Sequence, residues 1–544
     1  MLVAILATLP FLPALGAGFV SWDDDQNFVT NLAYRGLGPE QLRWMWSTFH
    51  LGHYTPLTWM TLGLDHALWG MDPRGYHLTN LLLHATTASL LFVVAQRLLR
   101  AAANWTPSNV TLAAAFAALV FAVHPLRVES VAWVTERRDV LSECLALASV
   151  LCWFRLRPLS PWKQPTYWAS VVLFLFGLLS KATILTLPAL LLLLAVYPLR
   201  WVGGATGWWS AESRRLYASL VPFALLSAAS AVMSFVALQP VTQLAVPGKA
   251  AVSFYSLAFY SWKTIAPIRL SPLYAMPAQV DPFTAKYLLS AFAVLAISLG
   301  AWAVRRRWPA VPVAWLAFVI ALFPMLGIHQ NGPQIAADRY TYHAAPALAL
   351  LAASALALLL GTRHRRLALT GAGTTLLVLG SLSWRQAGIW HDSATLWEQV
   401  ARLDSGGWIG RNNWGNVLMS RDRFTDAEVE FRGAVTLNPR YAEAQNNLGV
   451  ALARQRRPAE ALGPLRRALA LDSAYDEAAV NLGAALAQLG DDVQAIALYR
   501  RALAIDPSNA AAQMNWGNAL LRQGRAAEAA EHHAAARTLL SARP

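Results

Sequence analysis

The sequence predicts an all-α membrane protein in two parts: a multi-spanning helical domain followed by an α-solenoid of helix pairs. Of its 544 residues, 56% are hydrophobic and only 14% are charged, whereas an ordinary soluble chain carries about a quarter charged residues. Long apolar runs recur up to residue 390, and a 34-residue repeat follows them. We therefore divide the chain into a membrane domain (1–390), a junction (391–407) and a repeat domain (408–544).

The basic residues are concentrated in the apolar part. The chain has 44 Lys and Arg against 30 Asp and Glu, a formal charge of +14. Residues 1–390 hold 27 cations and 13 acids, whereas 391–544 hold 17 of each. A basic excess can indicate nucleic-acid binding, but an excess confined to the apolar half indicates the lipid bilayer as the partner instead.

Eleven runs in the first 390 residues approach the length that crosses a bilayer. The predicted spans are at about 2–20, 76–96, 111–124, 140–154, 166–180, 183–199, 216–238, 285–303, 310–327, 343–361 and 367–384. The stretch 252–268 is broken by Lys263 and Pro267, so we interpret it as interfacial or re-entrant. Met1 has no basic region behind it, which favours a retained first span over the alternative, a cleaved secretory signal.

Cytoplasmic loops of membrane proteins are enriched in Lys and Arg. With the N-terminus in the cytoplasm, the cytoplasmic loops hold fourteen cations and one acid, and the outer side holds 13 cations and 12 acids. Eleven spans then place everything after Trp384 outside. Only five cations are Lys, which fits a GC-rich bacterial genome. We expect a multi-pass protein of the bacterial inner membrane, with its C-terminal domain in the periplasm.

The repeat is marked by the tripeptide Asn-Trp/Leu-Gly, which recurs at exact 34-residue steps starting at Asn413, Asn447, Asn481 and Asn515. Small residues follow in phase, as at Ala427 and Ala461. This is the tetratricopeptide repeat (TPR) pattern, which stacks helix pairs into a solenoid. Residues 391–407 resemble the second helix of a degenerate leading repeat, with Trp397 at the large-residue position.

The four repeated asparagines suggest a ladder on the concave face that binds the backbone of an extended acceptor peptide. The alternative is that each Asn forms local hydrogen bonds at a helix turn and binds nothing. The two interpretations differ in whether replacing Asn413, Asn447, Asn481 and Asn515 together changes peptide binding.

Three adjacent carboxylates, Asp23, Asp24 and Asp25, follow the first predicted span. Placing acidic side chains at a bilayer edge costs free energy. Repulsion among the three carboxylates should raise the pKa of at least one of them, which suits a general base. The alternative is a solvated acidic loop. The histidines in the long loop that follows (His50, His53, His66 and His77) have no spacing typical of a metal site, and neither do Cys144 and Cys152. We expect no metal and no cofactor.

A second charged segment follows the span at 111–124. It contains His124, Glu129, Arg137, Arg138 and Asp139. One interpretation is a surface ion-pair network; the other is that its arginines bind the phosphate of an anionic lipid. Lys181, between two apolar runs, and Arg339, in Asp-Arg-Tyr, are further candidates for phosphate binding because isolated cations at such places are commonly functional.

Together these motifs resemble the transmembrane and tetratricopeptide repeat-containing O-mannosyltransferases, and more distantly other multi-spanning glycosyltransferases of the GT-C class. The resemblance covers nearly the whole chain. It rests on the Asp-Asp after the first span, GYHLTNLLLHA (75–85), HPLRVESVAWVTERRDVL (124–141), GLLSK (177–181), DRYTY (338–342) and the TPRs. The family's Asp-Asp falls on Asp23 and Asp24, and its Arg-x-Asp falls on Arg137 and Asp139.

The resemblance implies an inverting GT-C-type transferase that moves a hexose, mannose in this family, from a polyprenyl-phosphate donor to Ser/Thr hydroxyls of exported proteins. The aspartates would supply the base, while Arg137, Arg138, Lys181 and Arg339 would hold the phosphate, supported by His124, Glu129 and Asp139. The TPRs would recruit the acceptor polypeptide. Two alternatives stay open: a membrane-anchored TPR scaffold for envelope assembly, and a GT-C transferase acting on lipid or polysaccharide.

Overall fold

The computed structural model describes residues 1–155, 161–237, 244–277, 279–327, 332–404 and 406–541. Arg157, one of the predicted cytoplasmic-loop cations, and the last residue of the predicted span 216–238 lie outside them. The described chain is almost entirely helical, as the sequence predicts, and it divides into two compact units. Unit 1 contains Met1–Pro272 and Gln279–Leu396, and unit 2 contains Leu273–Ala278 and Trp397–Pro544.

Unit 1 is a helical assembly whose elements vary widely in length. Its α-helices are α1 (Leu2–Thr8), α2 (Pro39–Ser47), α3 (Pro56–Trp69), α4 (Pro73–Ala102), α5 (Pro107–Ala122), α6 (Val128–Ala132), α7 (Arg137–Trp153), α8 (Pro165–Ser180), α9 (Leu187–Val196), α10 (Ala211–Ala237), α11 (Val246–Ile265), α12 (Ala285–Ala303), α13 (Ala310–Leu322), α14 (Ala345–Leu360) and α15 (Arg365–Ala387). Helix α16 (Ser393–Leu403) covers most of the predicted junction, and the division between the units falls within it.

Short helical turns and two short strands complete the secondary structure. The 3₁₀ turns are Leu9–Gly16, His50–Gly52, Pro125–Arg127, Val134–Glu136, Pro161–Lys163, Ala182–Thr186, Gly204–Thr206, Phe323–Met325, Asp338–Thr341 and Gly388–Trp390, and Asp25–Val29 forms a π-helical turn. The strands are Gln334–Ala336, in unit 1, and Tyr274–Ala275, in unit 2. Several of the 3₁₀ turns extend or connect α-helices, as Leu9–Gly16 extends α1.

Helix α4 lies at the centre of unit 1 and packs against α1, α5 and α7. The side chain of Asp72 caps its start by accepting a hydrogen bond from the Arg74 amide at 3.0 Å. Small residues such as Ala95, Ala113 and Ala117 are fully buried where α4, α5 and α14 meet. Small side chains let helices approach closely, which is how helices associate in membranes.

Within the described residues, four helices are long and apolar enough to cross a membrane: Pro73–Ala102, Ala211–Ala237, Ala285–Ala303 and Arg365–Trp390. The bent pair Pro107–Ala122 and Pro125–Ala132 would make a fifth. Several other predicted spans coincide with apolar helices of 10–17 residues, such as Pro165–Ser180. At 1.5 Å per residue these helices are shorter than a bilayer's hydrocarbon core, so eleven spans remain a prediction.

Unit 2 is the TPR solenoid that the repeat predicts. Its helices are α17 (Gly407–Ser420), α18 (Phe424–Leu437), α19 (Ala442–Arg454), α20 (Pro458–Leu471), α21 (Asp476–Gln488), α22 (Asp492–Ile505), α23 (Ala510–Arg522) and α24 (Ala526–Ser541). The in-phase alanines, including Ala427 and Ala461, are fully buried in its core. The repeated glycines lie where paired helices touch: a Cβ at Gly449 would come within 2.4 Å of Leu465 Cγ.

Candidate active site

The charged segment after α5 folds into the protein instead of lying on its surface. Pro125 opens a 3₁₀ turn that His124 caps, its Nδ1 accepting a hydrogen bond from the Leu126 amide at 3.2 Å. Helix α6 and a second 3₁₀ turn, separated by Trp133, follow before α7 begins, and every residue from 124 to 137 is buried. Of the two interpretations, the surface ion-pair network is therefore wrong about location, because Glu129, Arg137 and Asp139 are buried together with apolar neighbours such as Val128 and Trp133.

Asp24 is locked between the first loop and this segment. Its Oδ1 accepts hydrogen bonds from the Thr135 hydroxyl at 2.6 Å and the Thr135 amide at 3.2 Å, and its Oδ2 accepts one from the Val20 amide at 3.1 Å. Asn27 Nδ2 supports Thr135 Oγ1 at 2.9 Å. Asp24 is 1% exposed, and burial raises its pKa to about 7 although the three hydrogen bonds lower it.

The two neighbouring aspartates occupy different environments. Asp23 is half-buried, and its φ of 70° is in the left-handed region, which Asp tolerates better than most residues. Burial raises the pKa of Asp23, while the nearby charges of Arg138 and Arg339 lower it. Asp25 is exposed and begins the π-helical turn. The acidic cluster thus divides into one locked, one half-buried and one solvated carboxyl group.

Glu136 is the centre of the cationic group predicted to bind phosphate. Its Oε1 lies 2.8 Å from Arg138 Nη2 and 3.2 Å from Arg339 Nε, and its Oε2 lies 2.6 Å from Lys181 Nζ. The structure therefore brings together Arg138, Lys181 and Arg339, which are far apart in sequence. Their side chains keep 14%, 12% and 9% of their surface exposed. Each cation therefore retains some surface that a ligand can approach.

Arg137 lies apart from these three cations. It is fully buried, its Nη2 pairs with Asp65 Oδ2 at 2.7 Å, and it also donates to the Tyr76 carbonyl at 2.8 Å and to Asn80 Oδ1. With no exposed surface, it cannot reach a substrate in this conformation. Its contacts tie α7 to α3 and α4.

The three predicted supporting residues surround the cationic group in different ways. Glu129 pairs with the Arg339 side chain, and its Oε2 also accepts a hydrogen bond from the Arg339 amide at 2.9 Å. Asp139 Oδ1 lies 2.8 Å from Lys181 Nζ, and its Oδ2 accepts from Ser130 at 3.0 Å. His124 Nε2 lies 3.1 Å from the Thr264 carbonyl, so it anchors the segment to α11.

Several residues at the site carry no motif of their own that would single them out. Thr135 and Glu136 lie inside a predicted segment but were not expected as site residues, because their partners Asp24 and Lys181 are distant in sequence. His53 is half-buried, and burial together with the positive charges of Arg138, Lys181 and Arg339 holds its pKa well below the ordinary value. Among the described residues, no three His, Cys, Asp or Glu side chains are grouped to hold a metal ion.

In the solenoid, the predicted asparagines Asn413, Asn447, Asn481 and Asn515 are all half-buried. Asn447 Nδ2 donates to Asn412 Oδ1 and Asn416 Oδ1, both at 3.0 Å. Asn481 Nδ2 donates to Asn446 Oδ1 at 2.9 Å. Asn447 and Asn481 therefore each connect their own repeat to the preceding one. These hydrogen bonds are not confined to one helix turn, and they do not involve a bound peptide.

The fold and sequence together define a class: a helical protein with apolar, membrane-length helices and a TPR domain. Residues 412–476 match the model of a tetratricopeptide repeat family, and residues 485–524 match a TPR repeat model. Among solved structures, the alignment with MamA covers 92% of the MamA chain and 29% of this one, at 25% identity and a TM-score of 0.26.

The curated relatives found for the chain are named protein O-mannosyl-transferases, so the family resemblance is confirmed, over about a third of the chain instead of nearly all of it. Tmtc1 of Drosophila melanogaster is 34% identical over 189 residues, which cover 33% of this chain and 21% of the relative. TMTC2 of Homo sapiens is 34% identical over 157 residues, covering 27% and 17%. The chain thus spans about a fifth of the length of the curated relatives it matches.

Proposed function

We propose that this protein is an integral-membrane glycosyltransferase of the GT-C type. It moves a hexose, mannose by analogy with its named homologues, from a polyprenyl-phosphate donor to Ser or Thr hydroxyls of exported proteins. The observation that carries the proposal is the contact between the two loops: Asp24, the neighbour of the half-buried Asp23, accepts a hydrogen bond from Thr135, and the adjacent Glu136 pairs with Arg138, Lys181 and Arg339. A base beside cations is what transfer from a phosphate leaving group requires.

Asp23 is the base in this proposal, and Asp24 positions it. Asp24 is buried and accepts hydrogen bonds on both oxygens, so an acceptor hydroxyl cannot reach it. Asp25 is exposed, and water competes for it. Asp23 combines partial access with a raised pKa, which brings a carboxylate closer to the range where a general base is effective.

The reaction is a single displacement with inversion at the anomeric carbon. Asp23 accepts the proton of the acceptor hydroxyl as its oxygen forms a bond to the anomeric carbon. The bond from that carbon to the phosphate oxygen breaks, and the electron pair leaves with the polyprenyl phosphate. Arg138, Lys181 and Arg339 stabilise the charge that develops on the phosphate, which is an electrostatic task. Glu129, Glu136 and Asp139 hold these cations in place.

The first test compares Asp23→Asn and Asp24→Asn in membranes supplied with labelled polyprenyl-phosphate mannose and an acceptor protein. Loss of the base should lower the transfer rate by about 10²–10⁴-fold in Asp23→Asn. Asp24→Asn should lower it less, because the amide still accepts hydrogen bonds from Thr135. Glu40→Gln, at the exposed start of α2, is the matched control. Full transfer by Asp23→Asn would rule out this mechanism.

The TPR domain serves to recruit the acceptor polypeptide in this proposal, which raises its local concentration at the membrane surface. TPR domains typically bind peptides, and the half-buried asparagines along α17, α19, α21 and α23 can offer amide groups to an extended backbone. The positive-inside distribution favours a periplasmic solenoid on the bacterial inner membrane, where an exported acceptor is available.

Replacing Asn413, Asn447, Asn481 and Asn515 by Ala together should weaken acceptor binding by at least about tenfold if the asparagines hold the peptide backbone. Binding is measured by fluorescence anisotropy of a labelled acceptor peptide. The matched control is Asn438→Ala, an asparagine at the end of α18 outside the repeated phase. Unchanged affinity in the quadruple variant, with its fold intact by circular dichroism, would contradict recruitment through these residues.

A further inference from the structure

The chain between α15 and the start of α16 packs against both loops of the candidate active site. This connecting segment (residues 388–393) consists of the 3₁₀ turn Gly388–Trp390, two further residues, and Ser393, where α16 begins. It belongs to unit 1, as do the proposed base and the cationic group. The proposed reaction uses none of its residues, so its contacts with the site call for a separate explanation.

Two hydrogen bonds attach the connecting segment to the first loop. The Gly18 amide donates to the His391 carbonyl at 2.9 Å. The Ser21 amide donates to Ser393 Oγ at 2.8 Å. Because Ser21 lies two residues before Asp23, the second bond fixes the chain immediately ahead of the proposed base.

Three tryptophans make a further contact between the connecting segment and the site. Trp390 stacks on Trp133, with ring centroids 5.5 Å apart and an angle of 23° between the planes. Trp133 also contacts Trp22, the residue immediately before Asp23, at 6.4 Å between ring centroids. The guanidinium carbon of Arg339 lies over Trp133, 5.3 Å from its ring centroid. These distances are typical of aromatic and cation–π contacts, so a single ring links the segment to both the base and a cation.

The contact between Trp133 and Trp390 is buried, since each of these residues is only 1% exposed. Packed side chains around a deleted ring relax only partly and leave a cavity. Removing the Trp390 ring would therefore give Trp133 room to move. Trp22 rests against Trp133, so that movement would pass to the first loop.

Asp23 depends on such anchors because of its backbone conformation. Its φ of 70° is in the left-handed region, and a residue with a Cβ keeps that conformation only where the surrounding structure holds it. The chain is held on one side through the Ser21 amide and on the other through Asp24, which is bonded to Thr135. Without the first anchor the loop can relax, and the Asp23 carboxyl group would then point in a different direction.

We propose that Trp390 and Ser393 are positioning residues for the transfer reaction: they hold the first loop so that Asp23 meets the acceptor hydroxyl beside the cationic group. The inference rests on the proposed function, because it takes Asp23 to be the base. It adds two residues that touch neither substrate and act through that base. The cations are held by their own carboxylate partners, so donor affinity does not depend on the connecting segment.

The test measures kcat, and KM for the donor, with the full-length protein in lipid nanodiscs. The probes are labelled polyprenyl-phosphate mannose and a threonine-rich peptide. Trp390→Ala and Ser393→Ala remove the two contacts, whereas Trp390→Phe and Ser393→Thr keep a ring and a hydroxyl group. The matched controls are Trp384→Ala and Ser381→Ala, which change exposed side chains near the end of α15.

We expect Trp390→Ala to lower kcat at least about tenfold and Ser393→Ala at least about threefold, because a misplacement of about 1 Å can cost about 100-fold in rate. The KM for the donor should change by less than about twofold in both, an effect on kcat alone. Trp390→Phe and Ser393→Thr should recover most of the lost rate. Ser393 is half-buried, so its variants keep the test decisive if Trp390→Ala does not fold, and thermal unfolding verifies each fold.

Combination with Asp23→Asn separates positioning from a general effect on the fold. If the connecting segment acts through Asp23, its replacement has no base left to displace. Trp390→Ala/Asp23→Asn and Ser393→Ala/Asp23→Asn should then transfer about as slowly as Asp23→Asn alone, because residues that act as a unit are not additive.

Three results would overturn the inference. If Trp390→Ala and Ser393→Ala both transfer like the controls, the connecting segment does not position the base, although the proposed base survives. If each replacement lowers the rate by the same factor with and without Asp23→Asn, the segment supports the fold and not the base. If Asp23→Asn transfers at the rate of the unaltered protein, the proposed base itself is wrong and the inference falls with it.

Discussion

Thr135 is the residue that connects the two loops of the site. Its hydroxyl and amide both donate to Asp24, and its hydroxyl accepts from Asn27. A buried carboxylate that loses a donor pays the cost of an unsatisfied polar group, which is about 1–3 kcal/mol. The position of Asp23, the residue immediately before Asp24, depends on this anchor.

Thr135→Val should therefore destabilise the protein by about 1–3 kcal/mol, because valine keeps the shape of threonine but cannot donate to Asp24. Thermal unfolding in detergent measures the change. Thr30→Val is the control, since the Thr30 hydroxyl is exposed and donates to the Asp25 carbonyl within its own loop. Equal stability of the two variants would show that the Thr135 hydroxyl does not hold the first loop.

At the scale of elements, the TPR helices are paired through glycine. A Cβ at Gly449, on α19, would lie 2.4 Å from Leu465 Cγ and 2.8 Å from its Cδ2, on α20. At Gly463, on the outside of α20, an added Cβ meets no atom within 4 Å. Steric contact with Leu465 therefore requires glycine at position 449, whereas no such contact requires it at position 463.

Gly449→Ala should lower the stability of the solenoid by about 1–3 kcal/mol through overpacking. Gly463→Ala should instead raise it by up to about 1 kcal/mol, because alanine is the better helix former and space is open. Hydrogen exchange of the α19 and α20 amides in the full-length protein reports both effects. Stabilisation by Gly449→Ala would contradict the close approach of these two helices.

Helix length is the element-scale property that the sequence predicted least well. The apolar run at 166–180 becomes α8, a helix of 16 residues, and the run at 2–20 becomes an α-helix followed by a 3₁₀ turn. Hydropathy locates apolar segments but does not determine where prolines and tertiary packing end a helix. Pro10 and Pro13, for example, lie within the first predicted span.

At the scale of the whole molecule, the charge distribution predicts an orientation that labelling can test. In a Cys144→Ala/Cys152→Ala background, Ser508→Cys, in the TPR domain, should react with a membrane-impermeant maleimide in spheroplasts. Arg306→Cys, in the Arg305–Arg307 cluster of a predicted cytoplasmic loop, should react only after the membrane is permeabilised. The reverse pattern would mean that the positive-inside rule misassigns this protein.

The sequence by itself determined the helical class, the TPR solenoid and the family resemblance, because each depends on local periodicity or on a repeat. It also located the acidic cluster and the cations. Only the tertiary structure decided how these groups are related: Asp24 is locked by Thr135, Arg137 is buried against Asp65, and Glu136 gathers Arg138, Lys181 and Arg339. The reason is physical: burial and ion pairing depend on which distant segments pack together, and hydropathy along the chain does not indicate which segments those are.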